Sequence, residues 1–205
     1  MNTTKWLKSF ITAALLAAGG AHAAPVVELI HNGGFEADLQ GNNSWRIYDH
    51  LTDWTGGAAG VELRNNVEGV AAGGRNFVEL DTTGNSSISQ LIQTAANRSY
   101  TLTFQFQDRV NVASASQGLS ISWGGSVIAP LVNNSTLGGW ETRSFTLIGD
   151  GTEKALTFSA AGYSDSLGTS LDNVSLTTAV PEPATYGMML AGLAAIGLVA
   201  RRRKA

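Results

Sequence analysis

The feature of this chain that most restricts its fold is a hydrophobic alternation with a period of two. In the segment YTLTFQFQ, the residues Tyr100, Leu102, Phe104 and Phe106 alternate with threonines and glutamines. Such a period places apolar side chains on one face of a β-strand and polar side chains on the other. The segments LSISW, RSFTLIG, ALTFSA and LDNVSLTT follow the same pattern. We therefore predict a body of many short strands, and no part of that body shows a helical period.

Glycine-rich turn signals separate these segments. They are Gly73-Gly74, Thr83-Gly84-Asn85, Gly124-Gly125, Gly138-Gly139 and Gly149-Asp150-Gly151. Short strands with regularly spaced turns are typical of a β-sandwich, and about 155 residues suffice for one good core. The predicted fold class is all-β, with one sandwich over residues 24–179. A signal-peptide helix (1–23) and a C-terminal segment with a transmembrane helix (180–205) flank it.

Composition excludes several classes of function. The chain has no cysteine, which removes disulfides, thiolate catalysis and cysteine-based zinc sites. Its net charge is −3, and its basic cluster lies at the C-terminus. A nucleic-acid-binding domain needs a basic stripe in its folded part, so we expect no nucleic-acid partner.

The N-terminus has the three parts of a secretory signal peptide. Lys5 and Lys8 precede a short apolar stretch, and Ala21-His22-Ala23 supplies the small residues that signal peptidase needs. We predict cleavage after Ala23. The alternative, an N-terminal membrane anchor, is disfavoured because the apolar core is short for a membrane span.

The C-terminus carries a second targeting pattern. An apolar run over 186–200 lies near the lower limit for a spanning helix, which needs roughly 17–25 residues. Arg201, Arg202 and Arg203 follow it, and the positive-inside rule keeps them cytoplasmic. Val180-Pro181-Glu182-Pro183 precedes it, and its two prolines hold an extended, exposed strip.

This tripartite tail closely resembles the PEP-CTERM sorting signal of Gram-negative bacteria. The resemblance covers the last 26 residues and implies processing by exosortase, a membrane protease-transpeptidase. It further implies export, transient anchoring in the inner membrane with the body outside, and final placement at the cell surface or in an extracellular polysaccharide or biofilm matrix. The oligomeric state and the fate of the chain after cleavage stay open.

A second resemblance rests on three short motifs. LIHNGGFEADL near the mature N-terminus, GGWETRSFTL in the second half and LDNVSL in the last strand look like galactose-binding-like jelly rolls, a superfamily rich in carbohydrate-binding modules. In such folds an opening glutamate and a closing aspartate often share a structural calcium ion. The resemblance implies that Glu36 and Asp172 hold it, and calcium prefers such oxygen ligands. The alternative is that Glu36 caps locally and Asp172 bonds the Asn173 turn.

Sugar-binding candidates follow from chemistry. Sugar rings stack on aromatic side chains, and their hydroxyls bond to planar polar groups. One candidate set lies in the early segment and consists of Trp45, Arg46, Tyr48 and Trp54. The other set lies on the polar face of one predicted strand and consists of Gln105, Gln107 and Arg109. The alternatives are core packing for the tryptophans, which suits Trp123 and Trp140 better, and a solvated sheet face for the glutamines.

Catalytic signals are weak. Glu79 and Asp81 share one face of a predicted strand, whereas glycoside hydrolysis needs two carboxylates facing each other across a cleft. The sequence contains no Gly-x-Ser-x-Gly elbow. We therefore predict no enzymatic activity and no catalytic residue. The predicted role is polysaccharide binding by an exported envelope protein. A structural or adhesive protein that binds other proteins is the alternative, and a glycoside hydrolase is a remote third.

Overall fold

The computed structural model describes residues 26–133 and 139–178, together with Gly187, Gly192, Leu193 and Ile196, which are helical. In these described residues no helix is long and apolar enough to cross a membrane. Several predictions lie outside them: the cleavage residues Ala21 and Ala23, the sorting residues Val180, Pro181, Glu182 and Pro183, and the basic residues Arg201, Arg202 and Arg203. Residues 26–179 form a compact unit, and the two ends of the chain belong to another.

Two six-stranded antiparallel sheets form a sandwich, which confirms the predicted fold class. Sheet A has the order β1-β4-β5-β12-β7-β10, and sheet B has the order β2-β3-β6-β11-β8-β9. The strands are β1 (Ser44–Tyr48), β2 (His50–Leu51), β3 (Trp54–Gly56), β4 (Val61–Asn65), β5 (Phe77–Glu79), β6 (Ser87–Gln93), β7 (Ser99–Gln107), β8 (Leu119–Trp123), β9 (Ser126–Val132), β10 (Glu141–Ile148), β11 (Glu153–Ala160) and β12 (Ser170–Thr178).

The core lies between the inner faces of the two sheets. Every second residue of β7 is buried there, from Tyr100 to Phe106, as the alternation predicts. Phe104 packs edge-on against Phe158 of β11 at 5.0 Å between ring centroids, which joins the two sheets. Burying such aromatic side chains is a major part of the stabilisation of a sandwich. Because the outer positions of β7 are polar, that face of sheet A is left for other contacts.

Tight turns end some strands, and irregular pairing interrupts others. Gly124 and Gly125 both have positive φ, 56° and 81°, and they join β8 to β9 in a two-residue hairpin loop. That backbone is the one that glycine adopts without steric cost. In β12 the pairing with β7 shifts between Asp172 and Ser175. Asp172 precedes the shift and lies on the outer side of sheet A, because it alternates with the inward Leu171. The bulge turns Val174 towards the core.

The N-terminal segment is fastened to the sandwich through buried polar side chains. Gln90 of β6 donates to the carbonyls of His31 and Asp53 and accepts from the His31 amide, at 2.9–3.0 Å. Asn76 donates to the carbonyls of Phe35 and Asp38, both at 2.9 Å. These bonds satisfy backbone groups that the irregular segment would otherwise bury unpaired. They also fix Glu36, which lies between Phe35 and Asp38.

Trp123 and Trp140 occupy different environments. Trp123 is buried in the core, as predicted. Trp140 instead precedes β10 and packs edge-on against Phe77 at 5.8 Å, on the outer side of sheet A. Its Nε1 donates to the carbonyl of Val70 at 2.9 Å. The core placement expected for Trp140 is therefore wrong, and its ring holds down the loop between β4 and β5.

Candidate functional site

The outer face of sheet A carries charged side chains that are shielded from water. Val61 and Leu63 of β4 point into the core, so Glu62 and Arg64 project from the opposite face. Glu79 of β5 lies on that face, directly opposite Glu62 in the strand pairing. Arg64 is 2% exposed and Glu79 is 0% exposed. Buried charges persist only when they are paired, and the three side chains form one ionic cluster.

Arg64 bridges the two glutamates. Its Nε donates to Glu62 Oε1 at 2.6 Å, and its Nη2 forms an ion pair with Glu79 Oε2. The third nitrogen of the guanidinium, Nη1, is buried and has no hydrogen-bond partner. Buried donors in proteins are nearly always bonded. Arg64 therefore carries unused hydrogen-bonding capacity.

Arg109 extends the cluster beyond the end of β7. Its Nη2 lies 3.1 Å from Glu68 Oε1, and its Nη1 lies 3.8 Å from Glu79 Oε2. Its backbone amide donates to Gln117 Oε1 at 3.2 Å. Arg109 thus connects the loop after β4 with the buried glutamate of β5.

Glu79 and Asp81 hold the loop before β12 against sheet A. Asp81 Oδ2 accepts the backbone amides of residues 165–167 at 2.8–3.3 Å, and Glu79 Oε1 accepts that of Gly168 at 2.6 Å. Burial raises the pKa of Glu79 to about 7, with Glu62 adding to the rise, although Arg64, the Gly168 amide and Arg109 lower it. The two carboxylates share one face, as expected, and they bind this loop.

An open groove of about 290 Å³ lies over this cluster. Its lining combines three kinds of side chain. The apolar ones are Trp45, Ile47, Val67 and Leu167, the hydroxyl-bearing ones are Thr82, Thr83 and Ser166, and the charged ones are Glu62, Arg64, Glu68 and Arg109. We call this surface the Trp45 groove.

Two of the predicted ligand-binding residues meet in the Trp45 groove. Trp45 lies on β1 opposite Arg64 and is 53% exposed, so its ring is available for stacking. Arg109 lies at the groove as well. Gln105 and Gln107 are on the same outer face of sheet A, but they are not among the residues that line the groove. Gln105 Oε1 instead accepts from Asn173 Nδ2 at 2.6 Å.

The other early candidates do not join this site. Arg46 and Tyr48 alternate with Trp45 along β1 and therefore face away from the groove. They line another concavity, of about 680 Å³, where the Arg46 guanidinium lies 5.3 Å from the centre of the Tyr48 ring. The four early candidates thus separate: Trp45 faces the groove, Arg46 and Tyr48 lie on the other face of β1, and Trp54 lies in the core.

Trp54 is the residue in the core, and its predicted role in ligand binding is wrong. Only 2% of it is exposed, and its ring packs against Phe35 at 5.7 Å. Its Nε1 donates to the carbonyl of Asn32 at 3.0 Å. The indole therefore joins β3 to the N-terminal segment and offers no face to a sugar.

Glu36 and Asp172 lie close together on either side of one loop. Glu36 Oε1 accepts the amides of Arg75 and Asn76 at 2.6 and 2.7 Å. Asp172 Oδ2 accepts those of Ala72 and Gly73 at 2.9 and 3.1 Å. Burial raises the pKa of Asp172 to about 6, with the Glu36 charge adding to the rise against three backbone hydrogen bonds.

The geometry is compatible with both interpretations of Glu36 and Asp172, local hydrogen bonding and a shared calcium ion. The local bonds are present: Glu36 caps loop amides, and Asp172 Oδ1 accepts the Asn173 amide at 2.6 Å. The two carboxylates also repel each other, which a cation would relieve. No group of three or more histidine, aspartate or glutamate side chains suited to a metal occurs in the described residues. A calcium ion here would therefore draw most of its oxygen ligands from Asn173 and the backbone.

Sequence reasoning missed Glu62 and Arg64 of β4 and Glu68 in the loop after it. It also missed the two loops that complete the Trp45 groove. A signal was available in VELRN and FVELD, where charged residues occupy the outward positions of two consecutive strands. Charge at outward positions normally indicates a solvated face. Nothing in the sequence shows that the loops after β4 and before β12 cover these charges.

The chain is thus an all-β sandwich domain whose sheet A carries a partly covered groove with a mixed apolar and charged lining. The chain belongs to the DUF642 family, described as a protein family of unknown function, because residues 28–177 match its family model. Residues 179–204 match the PEP-CTERM protein-sorting motif. This match confirms the predicted sorting signal and indicates an exported protein.

The chain is also similar to a curated protein and to solved structures at low sequence identity. The multifunctional-autoprocessing repeats-in-toxin of Vibrio cholerae serotype O1 is 28% identical over 152 residues, which is 73% of this chain but only 3% of that toxin. The Stig cyclase Fisc from Fischerella sp. TAU matches with a TM-score of 0.58 and 19% identity, over 77% of this chain and 100% of the cyclase. This likeness shows a shared sandwich fold. TmCBM61, solved with β-1,4-galactotriose, matches with a TM-score of 0.47 and 22% identity, over 75% and 99% of the two chains.

Proposed function

We propose that this protein is an exported envelope or matrix protein that binds polysaccharide in the Trp45 groove without catalysis. Signal peptidase would remove residues 1–23. The C-terminal segment would hold the precursor in the inner membrane until exosortase cleaves it, and the sandwich would then act at the cell surface or in an exopolysaccharide or biofilm matrix. The sorting motif at 179–204 supports this route.

The observation that carries the binding proposal is the placement of an exposed indole beside a fixed array of polar groups. Trp45 offers a flat apolar face, and Arg64 and Glu62 stand next to it on the neighbouring strand. Sugars need this combination, because C–H groups cover one face of the ring and hydroxyls surround its edge. The ion pairs hold Arg64 and Glu62 in place before a ligand arrives, which reduces the entropy lost on binding.

The same geometry favours binding over catalysis. Glu79 has the pKa of about 7 that suits a general acid, but its side chain is fully buried behind Arg64. Glu62, on the lining, is committed to Arg64 at 2.6 Å. A glycosidase needs two carboxylates that reach the scissile bond from opposite sides, and these two share one face of one sheet.

A structural or adhesive role is the second candidate, and the outer side of sheet B gives it some support. Leu91 of β6 and Val127 of β9 are large apolar side chains exposed to solvent there. Exposed apolar surface is a common feature of protein–protein contact. A well-folded domain without sugar binding would favour this role.

We also propose that a structural calcium ion occupies the space between Glu36 and Asp172. Both carboxylates face one loop, and the Asn173 side-chain oxygen lies beside them near Gly34. Calcium would neutralise the repulsion between them and would fasten the first loop to the last strand. The ion would stabilise the fold and take no part in binding chemistry.

The experiment is a glycan array with residues 24–179, which contain the whole core, with and without calcium. We expect saturable binding to at least one polysaccharide. Trp45→Ala should weaken it by at least about fivefold, since a stacked aromatic group contributes on the order of 1–3 kcal/mol. Leu91→Ala, which removes an equally exposed apolar side chain from sheet B, is the control and should bind normally. Failure of the folded wild type to bind any glycan would reject the proposal.

A further inference from the structure

We propose that the Trp45 groove selects an uncharged sugar unit and rejects uronate and sulfated units. This inference rests on the proposed function, because it concerns the ligand of the same site. It follows from three observations: the ion pairs that Arg64 and Arg109 already form, the unpartnered donor Arg64 Nη1, and the carboxylates around both arginines.

Both arginines are neutralised from within the protein. Arg64 contacts Glu62 through Nε and Glu79 through Nη2. Arg109 contacts Glu68 at 3.1 Å and lies 3.8 Å from Glu79. Arginine frequently holds an oxyanion through two parallel N–H groups of one guanidinium. An anionic ligand held in this way by Arg64 would have to displace a carboxylate, because Nη1 is the one unpartnered nitrogen of that guanidinium.

The charge around the groove also opposes an anion. Two arginines and two glutamates line it, and Glu79 lies directly behind Arg64. Asp81 is buried nearby, with its carboxylate bonded to backbone amides. The charges of the lining residues sum to zero. If Glu79 or Asp81 behind the lining is ionised, the net charge of the site is negative. An anionic sugar would meet like charge in a partly desolvated place, which costs more than it would in water.

The remaining capacity suits hydroxyl groups. Arg64 Nη1 is a buried donor without a partner on a residue that lines the groove. Glu62 and Glu68 retain acceptor capacity, since a carboxylate accepts several hydrogen bonds. A sugar hydroxyl both accepts and donates, so one hydroxyl can accept from Arg64 and donate to Glu62. A carboxylate ligand can only accept.

The apolar part of the lining completes the match. Trp45, Ile47 and Leu167 offer C–H and ring surfaces rather than further donors. Such a surface favours the apolar face of an unsubstituted sugar ring. A groove with a mixed donor and acceptor floor and an aromatic wall therefore favours neutral units, such as hexoses and pentoses that carry only hydroxyls.

The test compares polysaccharides that differ in charge, using residues 24–179. Immobilised dextran, mannan and galactan are matched with dextran sulfate, polymannuronate and polygalacturonate. We expect a neutral polymer to bind and its acidic counterpart to bind at least tenfold more weakly, at 20 mM and at 150 mM salt. Preferred binding of acidic polymers would overturn this inference and leave the proposed function standing. Binding to none of the polymers would reject both.

A charge variant sharpens the test. Glu68→Gln frees Arg109 from its partner on a half-exposed residue and should not disturb folding. We expect the ratio of its binding to acidic over neutral polymers to rise two- to fivefold, about the strength of an exposed ion pair. Glu141→Gln makes the same change in the Arg143 pair on β10, at the far edge of sheet A. It should not alter the ratio of acidic to neutral binding. Equal behaviour of the two variants would contradict the charge argument.

Spectroscopy tests the role of Arg64 separately. In arginine-labelled protein, the guanidinium signals of Arg64 should shift when a neutral oligosaccharide binds, while those of Arg143 should not. A ligand that perturbs the Trp45 indole signal and leaves Arg64 unchanged would overturn the role that we assign to Nη1.

Discussion

Glu62 and Glu79 lie directly opposite each other in the antiparallel pairing of β4 and β5, and Arg64 bridges their carboxylates. Like charges in directly opposed positions destabilise a sheet. The bridge therefore makes this strand pair depend on one guanidinium. The same guanidinium lines the Trp45 groove, so the stability of sheet A and the properties of the groove are coupled.

The first prediction concerns Arg64 itself. Arg64→Met should lower the free energy of unfolding by about 3–5 kcal/mol, because it leaves two facing carboxylates without the buried guanidinium that bridges them. Arg143→Met is the matched control. It removes a half-exposed arginine from a pair with Glu141 and should cost at most about 1 kcal/mol. Urea unfolding of both variants measures the difference, and similar losses would contradict a special role for the Arg64 bridge.

The second prediction is a fall in stability as the pH rises towards neutrality. Burial raises the pKa of Glu79 from 4.5 to about 7, so the folded protein holds a proton that the unfolded chain releases. The free energy of unfolding should therefore decrease between about pH 4.5 and 7, by at most roughly 3 kcal/mol. Asp172, with its pKa raised from 3.8 to about 6, adds a decrease between those two values.

Glu79→Gln separates the two contributions. In this variant the decline above about pH 6 should disappear, while the part from Asp172 should persist at lower pH. Chemical unfolding at half-unit pH steps provides the measurement. An unchanged pH profile in Glu79→Gln would show that this carboxyl titrates normally in the folded state.

The third prediction concerns calcium. Calcium binds ionised carboxylates, so added calcium should raise the melting temperature most above about pH 6, where Asp172 is ionised. Glu36→Gln should abolish the effect. Asp38→Asn is the control, since Asp38 likewise binds a loop amide, that of Thr52, but lies outside the Glu36–Asp172 pair. A calcium response that is equal in both variants would place the ion elsewhere.

The fourth prediction concerns the sorting signal. Replacement of Pro181, Glu182 and Pro183 by alanine should leave a larger, membrane-retained precursor, because the motif that exosortase reads would be lost. Thr185→Ala, two residues further along the tail, is the control and should be processed normally. Immunoblots of membrane and extracellular fractions distinguish the two forms. Normal processing of the triple variant would refute the proposed sorting route.

The strands were the part of the fold that local sequence could predict. YTLTFQFQ, LSISW and ALTFSA alternate strictly, and they form β7, β8 and β11 with their apolar residues inward. The period of a strand is a local property, so no tertiary information is needed to read it. The sorting tail could also be predicted from sequence, because the PEP-CTERM signal is a short linear motif.

The tryptophans show where local sequence was insufficient. Trp45 and Trp54 lie nine residues apart in similar surroundings, yet one is 53% exposed and the other 2%. Alternation divides a strand into two faces but does not state which face a neighbouring element will cover. Trp54 is buried because the N-terminal segment packs over it, a contact that joins residues distant in sequence.

The sequence by itself determined the all-β class, the main strands and the sorting signal, since each depends on local periodicity or on a linear motif. Only the tertiary structure decided the position and lining of the Trp45 groove. The Trp45 groove draws on β1, β4, the end of β7 and the loop before β12, and it exists because the pairing order of sheet A brings β1 and β4 to one edge. Arg64 and Glu79 are buried there by loops from elsewhere in the chain, and burial is a property of the whole fold.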